Sequence, residues 1–271
     1  MARGHAEIVH ADEVAPQPLP AAGWPPGAEL LLLSSDPDTG AFSGLLDLPA
    51  GYRRGQGWLT SDTDLFVLEG TLRCGRELRG AGWYEWLPAG STQAPWSVDE
   101  RCRLLLLPRS GRPDFVPGQG ADPPGRIALD TALVPWQLTP IPGMPPGFVF
   151  KTLRHDPETG ETCALYAATP RRSSDGIEFH DCAEEVFLID GEIRSGTAGL
   201  MRSGSYFWRP AYITHGPFSS RRGNYCFLYV DSTLVNHFVD DVRATPGQNR
   251  AQAAREEPPR NHIREAGLAG R

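Results

Sequence analysis

The stretch EFHDCAEEVFLIDGE (178–192) sets one histidine among six carboxylates and then runs through an apolar segment to Gly191. Glu178 and His180 are two residues apart, so on a strand they share a face. Glu184 follows a short Asp-Cys-Ala turn at the start of the next apolar run. His215 arrives about 30 residues later, beyond Gly204 and Pro210. Neutral imidazoles and carboxylates converging inside a barrel suit one divalent ion such as Fe(II), Mn(II), Zn(II) or Ni(II). Two glutamates would balance its charge and lower the cost of burying it. Two points stay open in these residues. Glu178 either ligates or only orients a histidine that does. Glu184 and Glu185 are neighbours, and strand alternation lets only one point inward; the spacing to Gly191 favours Glu184.

The elements that must position these side chains read as strands. ELLLLSS, FSGLLDL, LFVLEGTL, RLLLLPR, FVFKTL, CALYAAT, VFLIDGEI, SYFWRP and YCFLYV are strand-length apolar or alternating runs bounded by Gly, Pro, Asn and Asp, a pattern of an all-β chain. Helical periodicity is weak everywhere, except at RAQAAREE near the end. The runs also repeat. PPGAELLLLSSDPDTG (25–40) aligns with PPGFVFKTLRHDPETG (145–160), LFVLEGTLRCG (65–75) with VFLIDGEIRSG (186–196), and GWYEWLPAGSTQAPWS (82–97) with GSYFWRPAYITHGPFS (204–219). The chain is therefore expected to hold two copies of one β-domain, residues 1–118 and 119–240, followed by a polar, flexible tail over 241–271. The DPDTG and DPETG pieces are expected hairpin turns. The copies differ where chemistry is expected. Glu178 faces Gly57, His180 faces Leu59, Glu184 faces Thr63 and His215 faces Gln93, whereas the glycines and prolines at Gly70/Gly191, Gly82/Gly204 and Pro88/Pro210 persist. A structural role would be needed in both copies; a metal site is needed once.

Composition excludes several classes. The net charge is −7 and Lys151 is the only lysine. The arginines are scattered among acids, without the basic face that nucleic-acid binding requires. There is no apolar run of membrane-spanning length and no secretory h-region at the start, so a cytoplasmic protein without membrane association is expected. Cys74, Cys102, Cys163, Cys182 and Cys226 are odd in number and contain no Cys-x-x-Cys pair, which argues for buried thiols rather than a disulfide framework.

With those residues in place, the second copy resembles a cupin. The first cupin motif, His-x-His, three or four residues, Glu, six residues, Gly, is matched by Glu178-x-His180, three residues, Glu184, six residues, Gly191. The second, Gly, five residues, Pro-x-Gly, two residues, His, is matched by Gly204, five residues, Pro210-x-Tyr212, two residues, His215, with Ser219 in place of the motif's closing Asn. The two repeats together resemble a bicupin, with wording closest to ChrR-like cupins and the cupin dioxygenases of that group. The resemblance implies two tandem jelly-roll (double-stranded β-helix) barrels, the first degenerate and the second holding one metal ion on Glu178, His180, Glu184 and His215. Glu178 stands where the family has histidine. The resulting two-His, two-carboxylate set is harder than the usual one and turns the expectation toward Fe(II) or Mn(II), with Zn(II) also accommodated. The implied function is dioxygenase-type chemistry on a small oxygenated molecule. Alternatives are a non-catalytic metal- or ligand-binding sensor and a Lewis-acid isomerase or cyclase. Glu185 and Tyr212 are the candidate proton-transfer groups, and Arg171 and Arg172 are placed where an acidic substrate could be held. A small-molecule substrate is the expected partner, and a homodimer is compatible with the chain.

Overall fold

The structure, a computed structural model, describes residues 3–239 except 139, 140, 142, 143, 145 and 197. The expected tail and the weak helical pattern within it lie outside the described residues. The chain is all-β, joined by turns and two 3-10 turns at Ala11–Glu13 and Thr131–Leu133. It forms two tandem jelly-roll barrels whose main sheets repeat strand for strand. One runs Ile127–Asp130, Trp83–Leu87, Thr63–Glu69, Cys102–Pro108, Phe42–Leu48, Glu29–Ser35, Gln17–Pro18. The other runs Ala6–His10, Ser205–Arg209, Glu184–Ser195, Asn224–Val230, Thr162–Ala168, Phe148–His155, Gln137–Leu138. The first strand of each series comes from the other half of the chain. Ala6–His10 pairs with Ser205–Arg209, and Ile127–Asp130 pairs with Trp83–Leu87. The sheets thus cross the expected division near residue 118 twice.

The apolar runs are continuous because each main sheet is covered on both faces. Along Cys102–Pro108, Leu104 and Leu106 fill the interior of the first barrel, while Leu105 and Leu107 enter the layer between the barrels. Along Glu184–Ser195, Val186 and Leu188 point into the second barrel, and Phe187 joins the layer between the barrels, where Phe227 packs against Phe66 and Tyr84. The DPDTG and DPETG pieces close hairpins as expected. Gly40 and Gly160 both have φ +79°, and each donates its N–H to the carbonyl of the opening Asp, at 2.9 Å to Asp36 and 2.8 Å to Asp156. Gly70 and Gly191 persist in both copies for a steric reason. A Cβ there would sit 2.4 Å from the Arg101 carbonyl oxygen and 2.2 Å from the Gly223 carbonyl oxygen, respectively. All five cysteines are free and buried, and no described helix is long and apolar enough to cross a membrane.

Candidate metal centre

Strand Ile177–Phe179 and the segment through His215 run antiparallel. Glu178 and His215 exchange both backbone hydrogen bonds at 2.9 Å. That bridge brings the two parts of the sequence pattern together. Gly57 and Gln93 make the same bridge in the first barrel, which confirms the alignment of the copies. Glu178, His180 and His215 place their ligand atoms within 4.8 Å of one another. Glu184 joins them from the start of its strand, its Oε2 3.9 Å from His180 Nε2, while His215 Nε2 lies 3.8 Å from Glu178 Oε1.

The hydrogen bonds fix the histidine tautomers. His180 Nδ1 lies 3.1 Å from the Val235 carbonyl oxygen, and His215 Nδ1 lies 2.8 Å from that of Ile213. A carbonyl only accepts, so both Nδ1 atoms carry hydrogen and both Nε2 atoms are bare in the neutral rings. Those Nε2 atoms face each other at 3.2 Å. Two buried lone pairs aimed at one point repel unless a cation or proton lies between them. One divalent ion at about 2.0–2.1 Å from each nitrogen spans that gap, so the residues present fit a metal. Burial, with Arg209 nearby, pushes the His215 pKa down to about 4, which keeps the ring neutral as ligation requires. Burial raises Glu178 to about 7, with Glu184 adding to the rise against the opposing pull of His180.

The supporting side chains were not all evident in the sequence. Asn236 donates from Nδ2 to Glu178 Oε2 at 3.2 Å. Arg209, 2% exposed, stands directly across the sheet from Glu184 and approaches its Oε2 at 3.4 Å. Glu7 of the exchanged N-terminal strand holds Arg209 through Nε at 2.9 Å and Nη2 at 2.5 Å. The repeat contained a signal for Arg209, since its counterpart is Leu87, another exchange of apolar for polar between copies. The four candidate ligands open into a cavity of about 710 Å³ including its mouth. Its walls are mostly apolar, with Phe148, Phe150, Tyr166, Phe207 and Phe218 the aromatic side chains.

Two candidate proton-transfer groups stand elsewhere. Glu185 shares the parity of Phe187, so it points between the barrels and is not part of the cavity wall. It is 1% exposed and held by Arg109 at 2.5 Å, Tyr206 at 2.7 Å and Ser43. The expectation of proton transfer there is corrected: a carboxylate fixed on the opposite face of the strand cannot reach a molecule bound by its neighbour Glu184. Its counterpart in the repeat is Asp64, which pairs with the same Arg109 at 2.8 Å. An acid in both copies marks a structural role. Tyr212 is 67% exposed at φ +68°, packs against Phe179 and does not line the cavity. Arg172 does line the cavity; Arg171 does not.

The first barrel is filled where the second is hollow. Arg54, 2% exposed, lies 3.5 Å over the Trp96 ring and donates to Gln93 Oε1 at 2.6 Å, Gln93 being the counterpart of His215. A Cβ on Gly57 would meet the Phe115 ring at 2.3 Å.

Comparison with known proteins fits this architecture. Residues 121–237 match the family model described as "Domain of unknown function (DUF4437)". No curated protein sequence matches the chain. Among solved structures, it is similar to a "putative dioxygenase" from Nostoc punctiforme, at TM-score 0.75 and 21% identity over 90% of both chains. It is also similar to a Bacillus subtilis oxalate decarboxylase variant, at TM-score 0.54 and 13% identity, covering 86% of this chain and 78% of that one. The E. coli protein Ylba, of family DUF861, aligns at TM-score 0.59 and 15% identity, covering 84% of this chain and 92% of that one. These are cupin-fold proteins, and the fold of this chain is the same: a cupin fold with a candidate metal site in its second barrel.

Proposed function

We propose that this protein is a metal-dependent bicupin enzyme. One divalent ion is held by Glu178, His180 and His215 with Glu184 as the fourth ligand, and the reaction is of the dioxygenase type on a small oxygenated organic molecule. The observation that carries the reading is the pair of bare Nε2 atoms 3.2 Å apart at the base of an apolar cavity, present in one barrel and plugged in the other. A set of two imidazoles and two carboxylates suits Fe(II) or Mn(II). Such an ion, with positions left open by the protein, supplies activation of dioxygen and polarisation of a substrate oxygen. The side chains supply the rest. Val235 and Ile213 hold the imidazoles in the ligating tautomer, Asn236 and Arg209 orient the two glutamates, and the aromatic wall excludes water from the bound substrate.

The test is metal analysis of purified wild type and the His180→Ala/His215→Ala pair, followed by oxygen uptake of the Fe(II) form against diketones and catechols. One ion per chain in the wild type and none in the pair is expected. Equal metal content in both would sink the site. Tight metal retention with no oxygen uptake across the panel would replace dioxygenase chemistry by a binding role.

A further inference from the structure

We propose that the cavity takes a small organic monoanion, a single-ring or branched apolar carboxylic acid with a second oxygen donor, and that Arg172 anchors its carboxylate. This deepens the metal reading above and rests on it. Glu7 neutralises Arg209, and Glu178 and Glu184 balance a divalent ion. Arg172 is then the one charge on the cavity wall that makes no salt bridge among the described residues. Its guanidinium lies 3.9 Å over the Phe148 ring, and its Nε is buried with no hydrogen-bond partner among the described residues. Burial holds the group below its usual pKa range, against the pull of Glu178 and Tyr166. A buried donor left unmade is costly, and a carboxylate is the group that satisfies an arginine fork best.

The pairing of the sheets shows that this arginine belongs to the hollow barrel alone. Ser173 pairs with Ser219 as Arg53 pairs with Ser97, so the place of Arg172 is taken in the first barrel by Tyr52. Phe148, on which the guanidinium is stacked, corresponds to Ala28. Both halves of the cation–π pair therefore occur only where the candidate ligands do. The second oxygen donor follows from the open metal positions. The apolar body follows from the walls formed by Phe150, Phe207 and Leu228.

The experiment is calorimetric titration of the zinc-loaded full chain with phenylpyruvate and 2-hydroxyphenylacetate, and with their methyl esters, in wild type, R172Q and R172K. Zinc content is measured on the same samples. The acids are expected to bind wild type at least about 10-fold more tightly than the esters. R172Q should lose about 10–100-fold for the acids, the range for a hydrogen bond to a charged group, and less than about 2-fold for the esters. R172K should recover part of the loss, and zinc content should be the same in all three. Equal binding of acids and esters by wild type, an equal loss of both in R172Q, or zinc-loaded wild type that binds neither acid would overturn the proposal. Failure of wild type to retain zinc would overturn the metal reading itself.

Discussion

Replacing Glu7 by Ala should both destabilise the protein and weaken its metal site, although Glu7 lies over 170 residues from the nearest candidate ligand. Glu7 sits on a β-bulge. Ala6 pairs with Trp208 and Val9 with Tyr206, so Glu7 and Ile8 together span what Ala128 alone spans in the other copy. The extra residue puts Ile8 at φ +51°, a strained region for a β-branched side chain. Bulges of this kind re-aim side chains beside functional sites. Here the bulge is what lets Glu7 grip Arg209. Removing one partner of a buried ion pair costs about 3–5 kcal/mol. The Glu7 side chain is 24% exposed, which brings the expected loss to about 2–3 kcal/mol. At about 2–4 °C per kcal/mol for a chain of this size, the thermal midpoint should fall by roughly 5–10 °C. The released Arg209 is then free to take Glu184 fully from its present 3.4 Å, so zinc affinity by chelator competition should fall about 10-fold, equivalent to about 1.4 kcal/mol. The double variant E7A/R209L reproduces the Ala128/Leu87 pair of the first barrel. Because it removes the arginine that E7A leaves without its main partner, it should regain part of the stability lost in E7A, while Glu184 loses the arginine beside it. A double variant no more stable than E7A, or a shift in E7A below about 1 °C, would refute this reasoning.

Metal binding should release a proton. With Glu178 near 7 in the metal-free site and His215 near 4, zinc affinity should fall by about a decade per pH unit below pH 7, and E178Q should flatten that slope. Breaking the bridge between barrels with R109M should cost about 3–5 kcal/mol in denaturant unfolding, because Asp64 and Glu185 lose their shared partner, and zinc affinity by chelator competition should fall with it, because the strand that carries Glu184 is then held on one face only. In the same network, burial acts to raise Glu185, but Arg109 and Arg3 hold it below its ordinary value. Its contribution to stability is therefore present above about pH 4.5 and lost as pH falls through the depressed native pKa. Acid unfolding of E185Q should accordingly be shallower than that of wild type.

The fold was legible because turns and strand lengths are local and the repeat supplied three independent registers. Parity was not local. RLLLLPR and ELLLLSS each run through four successive leucines, so neither shows which face looks into a barrel until both faces are seen to be covered. The same ambiguity made Glu185 a plausible proton donor. Comparing copies resolves it: Thr63 against Glu184 is a change of chemistry, whereas Asp64 against Glu185 keeps an acid that binds one shared arginine. His180 and His215 could be picked out because the contrast between copies is largest there. Asn236 could not, since it reaches Glu178 from a loop 58 residues away with no motif to announce it. Nor could the pairing of Glu7 with Arg209, which depends on a strand exchange that no periodicity encodes.

That exchange explains why a barrel without a candidate metal site remains part of the protein. The first barrel has not merely lost its ligands. Arg54 on Trp96 and Phe115 against Gly57 fill the space, so the barrel packs to its centre around a buried arginine instead of a cavity. The second barrel cannot do this and stay open, and it carries the costs of a cavity and a repelling nitrogen pair. Those costs are offset from outside it. The solid barrel supplies a sheet face for the shared apolar layer, with Asp64 and Arg109 gripping the far side of the strand that carries Glu184. The N-terminal strand supplies Glu7. One glutamate strand is thus fixed on both faces, by Arg109 through Glu185 on one side and by Arg209 through Glu184 on the other. The position of Glu184 is therefore set by both halves of the chain, and a second barrel expressed without the first should lose metal affinity before it loses its sheet.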